Sequence, residues 1–349
     1  MDITSLGGIE RVVCNLSTAL VKKGFQITII SLFKSSTYIK YPISSKVKII
    51  YIYKFNIISY RLNFLRFLFS KNFKKYISCN SITISTYSIF SVLIAIFRRP
   101  ISKSVIASEH SAFSAHNKII QLLRLFFYRY LRNVVVLTHY DFSIFSRYLS
   151  NVVLIPNAVT EFKTDKQFNK KNYHSDFKCI AVGRFSKVKR YHLFIELAAY
   201  VFQLNHQVCF ELMGSGPELD VYKTLVLKYK GMINIKITDS NNNISNLYNS
   251  ASILIITSET EAFPMVLIEA NSFGIPVISI ECPIGPLEMI LDGSNGYKYP
   301  EENFISQASD KIVELFNDRQ LLGRLSEASV KSSLPFANSN VVDRWVSIL

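Results

Sequence analysis

The sequence has 349 residues, of which 49% are hydrophobic and 19% charged, and this excludes both a disordered chain and a disulfide-stapled mini-protein. The net charge of +15 is uneven, because residues 1–170 carry +18 and the remainder carries −3. We therefore expect two domains with different partners, the basic one facing an anionic surface or ligand. Five singly scattered cysteines and the lack of a run of about 18–20 apolar residues are typical of a reduced, cytosolic protein without a spanning helix.

Short apolar runs alternate with amphipathic stretches along the chain, a pattern that predicts βαβ units and doubly wound α/β domains. The first half predicts strands at 27–31, 47–51, 82–85, 104–107, 134–137 and 152–155. The second half predicts strands at 179–182, 208–213, 233–237, 252–257 and 276–279. We expect an N-terminal domain at 1–160, a polar linker at 161–176, a C-terminal domain at 177–335, and a last helix at 336–349 returning to the first domain.

Two glycine-rich loops have the form of anion sites. Gly7 and Gly8 precede an amphipathic helix, where backbone N–H groups and the helix dipole favour a phosphate. Gly214 and Gly216 follow the strand at 208–213 in the same way. The alternative interpretation in both places is a tight turn that binds nothing.

A basic loop follows the strand at 179–182. It begins at Gly183 and carries the four cations Arg184, Lys187, Lys189 and Arg190. Arginine offers a planar fork of donors and lysine a point charge, so this loop predicts a diphosphate clamp. The alternative is a solvated basic loop.

The segment 258–270 carries the strongest ligand pattern. Pro264 suits the first position of a helix, so the backbone amides of residues 262–266 should lie at its positive end. The carboxylates of Glu261, before the helix, and Glu269, within it, suit sugar or ribose hydroxyls. Glu269 stands in an apolar stretch, where a buried carboxylate needs a partner, and this favours a ligand role. The neighbouring candidates are Phe263, Pro264, Met265 and Val266.

His110 follows the strand at 104–107 and can orient a substrate hydroxyl, or it can be structural. The sequence has no Asp-x-Asp pair and no His/Cys cluster with metal-ligand spacing. We therefore expect a mechanism without a metal or other cofactor, in which the protein supplies the cations.

The chain resembles glycosyltransferase family 4 along essentially its whole length, in the motifs Gly7-Gly8-x-Glu10-Arg11, Pro156-Asn157, Gly183-Arg184 with Lys189, Gly214-x-Gly216-Pro217-Glu218 and Glu261-x7-Glu269. The resemblance implies the GT-B fold, two Rossmann-like domains facing across a cleft. It implies a retaining enzyme that moves a hexose or N-acetylhexosamine from a nucleotide-diphosphate sugar. The implied acceptor is lipid-linked or a bacterial cell-surface polysaccharide, and the implied location is the inner face of the cytoplasmic membrane.

The resemblance also implies residue roles. Arg184 and Lys189 would neutralise the donor diphosphate, with Gly8 against it from the opposite domain. Glu261 and the amides after it would hold the sugar, Glu269 the ribose hydroxyls, and His110 would contact the sugar near the reacting carbon.

Two positions depart from the family pattern. Arg190 stands where the family commonly has glycine, and only residues 1–6 precede Gly7 where the family has a full strand. Six residues span about 20 Å at most, too little for a strand and a loop. We therefore expect the first strand of the N-terminal domain to be missing, either because the true start lies upstream or because the copy is truncated and impaired.

Other functions fit parts of the pattern. A nucleotide-sugar epimerase or a phosphorylase can share the GT-B architecture. A nucleic-acid-binding protein would explain the basic half, but no nucleic-acid motif is present, so we expect no such partner. The segment 54–75 interleaves aromatic residues with cations and predicts either an anionic membrane surface or a helix packed on the sheet.

Overall fold

The computed structural model describes residues 2–5, 7–53, 60–159, 177–238 and 244–349, apart from the side chains of residues 60 and 61. The chain forms two compact units, one made of Met1–Thr160 with Phe336–Leu349 and the other of Glu161–Pro335. The predicted linker at 161–176 lies outside the described residues, as do residues 54–59 of the predicted membrane segment.

The strands of the first unit are parallel but form two separate sheets. The smaller sheet pairs β1 (Thr28–Ser31) with β2 (Lys48–Tyr51), and the larger has the order β3 (Thr83–Ser85), β4 (Val105–Ser108), β5 (Asn133–Val136), β6 (Val152–Leu154). All six overlap the predicted strands. The connecting helices are α1 (Gly8–Lys22), α2 (Tyr60–Phe69), α3 (Lys71–Tyr76), α4 (Ser88–Phe97), α5 (Arg99–Ser102), α6 (Lys118–Phe127) and α7 (His139–Ser146).

Helices α2 and α3 pack against the sheet. Their aromatic and aliphatic side chains Phe64, Phe67, Leu68 and Phe73 are buried in the core of the first unit. The described part of the segment 54–75 is therefore a packed pair of helices, and its interpretation as a membrane-binding helix is wrong for these four residues.

The second unit is one parallel sheet of six strands. The strands are β7 (Lys178–Val182), β8 (Cys209–Met213), β9 (Ile235–Thr238), β10 (Ile253–Ile256), β11 (Val277–Ile280) and β12 (Gly296–Tyr299), in the spatial order β12-β11-β10-β7-β8-β9. This is the order of a Rossmann sheet, which reverses between β7 and β10 and opens a ligand crevice there. The helices are α8 (Tyr191–Leu204), α9 (Leu219–Lys228), α10 (Ile244–Ser250), α11 (Met265–Ser272), α12 (Gly285–Met289), α13 (Phe304–Asn317) and α14 (Arg319–Ser333).

The last helix, α15 (Asn338–Val346), belongs to the first unit. Val342 packs with Leu20 of α1, and Trp345 packs on Ile106 of β4. The chain re-enters this unit beside the point where it left, because the Val159 amide donates to the Phe336 carbonyl at 2.9 Å. In the described part of the chain, no helix is both long enough and apolar enough to cross a bilayer.

Candidate active site

The loops that follow β7 and β10 are joined at the point where the strand order reverses. The ammonium group of Lys189 forms an ion pair with the carboxylate of Glu261. The Ser258 hydroxyl donates to the same carboxylate oxygen at 2.8 Å, and the Thr257 hydroxyl donates to the Lys189 carbonyl at 2.8 Å. The structure thus brings together two of the predicted site residues, with opposite charges, where this fold binds ligands.

The four cations of the basic loop divide into two kinds. Arg184 and Lys187 are exposed and form no ion pair with any described residue. Arg190 adopts a left-handed backbone conformation, φ 48°, and its guanidinium donates to Glu301 at 2.7 Å and to the Thr257 carbonyl at 3.1 Å. Lys189 and Arg190 thus have acidic partners within the protein, whereas Arg184 and Lys187 have none among the described residues, and the diphosphate clamp stays a prediction. Arg190 takes a conformation that glycine adopts more easily, and these hydrogen bonds hold it there.

The glycines of the second unit are required by its own packing. A Cβ atom at Gly214 would collide with the Gly183 carbonyl and the ring of Phe185. Gly216 has φ 153°, and a Cβ there would collide with the Phe185 backbone. The Phe185 amide also donates to the Ser215 carbonyl at 2.8 Å. These contacts explain both glycines without a ligand, so their donor-binding role stays a prediction.

Gly183 has φ 152°, and a Cβ there would lie 2.6 Å from the hydroxyl of Tyr191. The Tyr191 ring packs edge-on against Phe185 and Tyr222, with 5.7 Å between ring centroids in each pair. Burial raises the pKa of Tyr191, so it remains a neutral phenol beneath the basic loop. The position of the loop is thus fixed by an aromatic cluster from three different elements.

Helix α11 begins one residue later than predicted. Pro264 is its N-cap residue and Met265 is its first helical residue, whereas the sequence predicted Pro264 in the first turn. Phe263 and Pro264 are buried, and Met265 and Val266 are partly exposed. The first amides of a helix have no partner within it, so the positive end of α11 adjoins the loop that carries Glu261.

Glu269 is half-buried rather than buried, and it has a partner within the protein. The hydroxyl of Tyr248 on α10 donates to its carboxylate at 2.9 Å. The ring of Tyr248 is buried and packs on Phe273 at 5.2 Å. The argument that Glu269 needs a ligand to satisfy it is therefore wrong. The residue is only partly buried, and its contact with ribose hydroxyls stays a prediction.

Gly8 and His110 belong to the first unit. Gly8 is the first residue of α1, is exposed, and has no atom within 4 Å of where a Cβ would stand. At Gly7, by contrast, a Cβ would collide with the carboxylate of Glu10. Burial raises the pKa of Glu10. The carboxylate of Glu10 is the end of a flexible side chain, so this contact does not by itself require glycine at position 7, and Gly8 is open to an approaching group.

His110 follows β4 at its carboxyl end and is partly buried. Its Nε2 lies 3.2 Å from the Ser108 hydroxyl. Burial lowers the pKa of His110 to about 4, and the neighbouring Glu109 carboxylate opposes this shift only in part. The imidazole is therefore neutral at pH 7 and can donate one hydrogen bond and accept another.

A buried polar network surrounds Glu109, the residue before His110, and it was not predicted from the sequence. The carboxylate of Glu109 accepts hydrogen bonds from Ser88 at 2.7 Å, from Arg124 at 2.6 Å and from the Tyr128 hydroxyl. Both Glu109 and Arg124 are inaccessible to solvent or nearly so. Arg124 could have indicated this network, because it is a lone cation within the apolar run 122–127.

Comparisons with solved structures identify the fold. Solved structures with the GT-B fold of glycosyltransferases match both units, although at identities that show the fold alone. Sucrose-phosphate synthase from Thermosynechococcus elongatus matches 98% of this chain and 92% of its own with a TM-score of 0.80 and 16% identity. TarM matches 82% of this chain with a TM-score of 0.66 and 19% identity, and this chain spans only 58% of TarM.

Sequence comparisons define the family. The family models "Glycosyltransferase Family 4" and "Glycosyl transferases group 1" match residues 6–161 and 162–332. The chain is 26% identical to the amylovoran biosynthesis glycosyltransferase AmsD of Erwinia amylovora, over 99% of this chain and 97% of that protein. It is 24% identical, over 98% and 95%, to a Campylobacter jejuni N-acetyl-D-galactosaminyltransferase named for a diNAcBac-PP-undecaprenol-linked saccharide. The chain therefore belongs to glycosyltransferase family 4 and is a glycosyltransferase.

Proposed function

We propose that the protein is a retaining glycosyltransferase that moves a hexose or N-acetylhexosamine from a nucleotide-diphosphate sugar to a lipid-linked or cell-surface polysaccharide acceptor. The observation that carries the proposal is the Lys189–Glu261 ion pair at the reversal of strand order, beside the exposed cation of Arg184. The names of the relatives from Erwinia amylovora and Campylobacter jejuni support the acceptor class.

The second unit would hold the donor. Breaking the bond between the sugar and the diphosphate leaves negative charge on the departing oxygen, and fixed positive groups stabilise that charge. Arg184 can bind the diphosphate with a planar fork of donors, and Lys189 adds a compact charge. These two side chains would supply the positive charge in a mechanism that needs no metal ion or other cofactor.

Two carboxylates would orient the donor. Glu261 and the helix-end amides beside Phe263, Met265 and Val266 suit the sugar hydroxyls, because an ionised carboxylate accepts hydrogen bonds and amides donate them. Glu269, oriented by Tyr248, suits the ribose hydroxyls. The ion pair with Lys189 keeps the Glu261 carboxylate fixed before the sugar arrives.

The transfer step needs no added acid or base, because the departing phosphate takes up the proton that the acceptor loses. The acceptor oxygen forms a bond to the anomeric carbon as the carbon–oxygen bond to the diphosphate breaks, and the acceptor proton passes to the departing phosphate oxygen on the same face. This order of events retains the anomeric configuration. In the first unit, neutral His110 suits a hydrogen bond to the sugar and open Gly8 suits close approach to a phosphate.

The basic first unit would meet the membrane that carries the acceptor, at the inner face of the cytoplasmic membrane. The support for this membrane contact comes from α6 rather than from segment 54–75. In α6, the side chains of Ile119, Leu122 and Phe126 are 70%, 66% and 50% exposed. Their spacing of three and four residues places them on one helix face. An exposed apolar stripe on a unit with net charge +17 suits an anionic bilayer surface.

Vesicle flotation tests this surface. We expect the protein to float with anionic vesicles and not with neutral ones, and Leu122→Gln to reduce the bound fraction several-fold. The control is Leu227→Gln on the second unit, which is exposed to a similar extent. Equal recovery of Leu122→Gln and the native chain would contradict the membrane role of α6.

Incubation with labelled nucleotide sugars tests the activity itself. Transfer to an added lipid-linked acceptor, or slow donor hydrolysis, supports the transferase, whereas an isomerised donor indicates an epimerase and a sugar phosphate formed with phosphate indicates a phosphorylase. Glu269→Ala should abolish measurable donor binding in calorimetry. The matched control is Glu259→Ala, because Glu259 is an exposed carboxylate in the loop that follows β10. Unchanged affinity in Glu269→Ala would refute its assigned role.

A further inference from the structure

Arg190 stands at the joint between a short 3₁₀ turn and helix α8. The turn spans Lys187–Lys189, and α8 begins at Tyr191. The backbone changes direction between them through a left-handed conformation at Arg190, with φ 48° and ψ 42°. This conformation is costly for a residue with a Cβ atom, whereas glycine adopts it freely. Glycine would therefore suit the backbone better, and what arginine adds at this position is its side chain.

The side chain of Arg190 connects three loops at the carboxyl edge of the second sheet. From the loop after β7, its Nε donates to the Thr257 carbonyl at 3.1 Å, and one terminal nitrogen lies 3.5 Å from the Ser258 carbonyl. Both carbonyls belong to the loop after β10. The other terminal nitrogen donates to the carboxylate of Glu301, which follows β12, at 2.7 Å. All three nitrogens of the guanidinium thus have acceptors within the protein.

The contacts of Arg190 complete a seam between the loops after β7 and β10. The Val188 carbonyl accepts from the Glu259 amide at 2.9 Å, and the Lys189 carbonyl accepts from the Thr257 hydroxyl at 2.8 Å. Arg190 returns a hydrogen bond to the same Thr257 through its guanidinium. Three consecutive residues of the basic loop are therefore bonded to the neighbouring loop, and Lys189 lies between two anchored residues.

The bond to the Thr257 carbonyl contributes more to this seam than the ion pair with Glu301. The side chain of Glu301 is 60% exposed, and an ion pair that is open to water contributes little. The side chain of Arg190 is only 16% exposed and Thr257 is buried, so their charge-assisted bond forms largely away from water, where it is stronger. Glu301 orients the guanidinium, and the Thr257 carbonyl anchors it.

We propose that Arg190 is a positioning residue, which holds Lys189 in place for the diphosphate of a nucleotide. By tying the end of the basic loop to the loop after β10, it keeps the Lys189 ammonium group beside Glu261 before a ligand arrives. A side chain that is already fixed loses less freedom on binding, and the affinity is higher as a result. The guanidinium itself does not contact the diphosphate. The inference rests on the proposed role of Lys189 in donor binding.

Amide exchange on the full chain tests the positioning without any ligand. Arg190→Gly keeps the left-handed backbone at a lower strain, which offsets the lost contacts, so the melting temperature should change little. We expect the Glu259 amide, which donates to the Val188 carbonyl, to exchange about tenfold faster or more. The internal control is the Gly214 amide, which donates to the Thr238 carbonyl and should not change. Unchanged exchange at Glu259, or equal acceleration at both amides, would overturn the proposal.

Calorimetry with UDP, GDP, ADP, CDP and dTDP tests the link to Lys189. For the nucleotide that the native chain binds, we expect Arg190→Gly to lower the affinity about tenfold. Adding Arg190→Gly to Lys189→Gln should lower the affinity little further, because Arg190 acts through Lys189. Losses that multiply would show that Arg190 acts separately, and would overturn the proposal. Binding of none of these nucleotides would contradict the donor-binding function, and the exchange experiment would still decide whether Arg190 positions the loop.

Two further variants separate positioning from direct contact with a phosphate. Glu301→Gln should lower the affinity less than Arg190→Gly does, and its matched control is Glu302→Gln, because Glu302 is an exposed neighbour. Arg190→Lys keeps the positive charge but not the planar set of donors, so it should restore little of the affinity. Tighter binding in Glu301→Gln, or native affinity in Arg190→Lys, would indicate that a cation at position 190 binds the phosphate directly and would overturn the proposal.

Discussion

Lys189 and Glu261 form an ion pair that joins the loops after β7 and β10, the two neighbouring strands at the reversal of the second sheet. Both side chains keep about a fifth or less of their surface exposed. The pair therefore fixes a positive and a negative group where a ligand of the fold would bind, and it links the proposed diphosphate and sugar contacts.

Replacing Lys189 by glutamine should weaken donor binding more than stability. Loss of one charge-assisted hydrogen bond costs about 1.5–3 kcal/mol, so we expect donor affinity to fall about ten- to a hundredfold in calorimetry. The melting temperature should change little, because a partly exposed pair contributes about 1 kcal/mol or less. Lys187→Gln is the control, an exposed lysine on the same loop. Equal losses of affinity in both variants would contradict a specific role for Lys189.

Alanine at Gly8 and at Gly214 should have opposite consequences. Gly8→Ala meets no neighbouring atom, so the chain should fold with an unchanged melting temperature while turnover falls about tenfold if a phosphate approaches the backbone there. Gly214→Ala collides with backbone and should destabilise the second unit by about 1–3 kcal/mol. Unfolding in urea and turnover at saturating donor separate the two effects. A fully active Gly8→Ala variant would remove Gly8 from the proposed site.

Arg124→Met should be among the most destabilising single changes in the first unit. It leaves the Glu109 carboxylate buried without its ion-pair partner, which costs about 3–5 kcal/mol. Urea unfolding measures the loss of free energy. Arg129→Met is the matched control, because Arg129 is exposed just beyond the same helix. A loss below about 1 kcal/mol in Arg124→Met would show that the network does not support the fold.

The pKa of His110 predicts the pH dependence of stability. The unfolded chain protonates this imidazole near its ordinary pKa of 6.5, whereas the folded chain does so only near 4. The free energy of unfolding should therefore fall as the pH decreases from about 6.5 toward 4, by about 3 kcal/mol from this residue. His110→Gln should reduce that slope, and the exposed His206→Gln should not. An NMR titration showing a His110 midpoint near 6.5 would refute the prediction.

Eleven of the twelve strands in the described residues could be predicted because each of the eleven is an apolar run between polar loops. The strand β12 was missed because Gly296, Tyr297, Lys298 and Tyr299 are neither continuously apolar nor cleanly alternating. The start of α11 was misplaced by one residue because proline suits both the cap and the first turn. Local composition thus located the elements but did not fix their ends.

The candidate site could be proposed from the sequence as a set of residues but not as a set of contacts. Motif spacing placed Arg184, Lys189 and Glu261 after neighbouring strands, yet the pairing of Lys189 with Glu261 depends on a sheet order that puts β7 beside β10. The partner of Glu269 is Tyr248, 21 residues away on another helix. Such pairings arise only when distant segments pack, and no local period encodes them.

The position of α15 has a consequence for synthesis of the protein. Val341 and Trp345 complete the core under β4 and β5 of the first unit, and both leave the ribosome after the entire second unit. Residues before 160 must therefore persist with that face of the sheet uncovered while the second unit folds. A nascent chain halted near residue 335 should expose the apolar surface that Trp345 later covers, and it is at this stage that the protein most needs a chaperone.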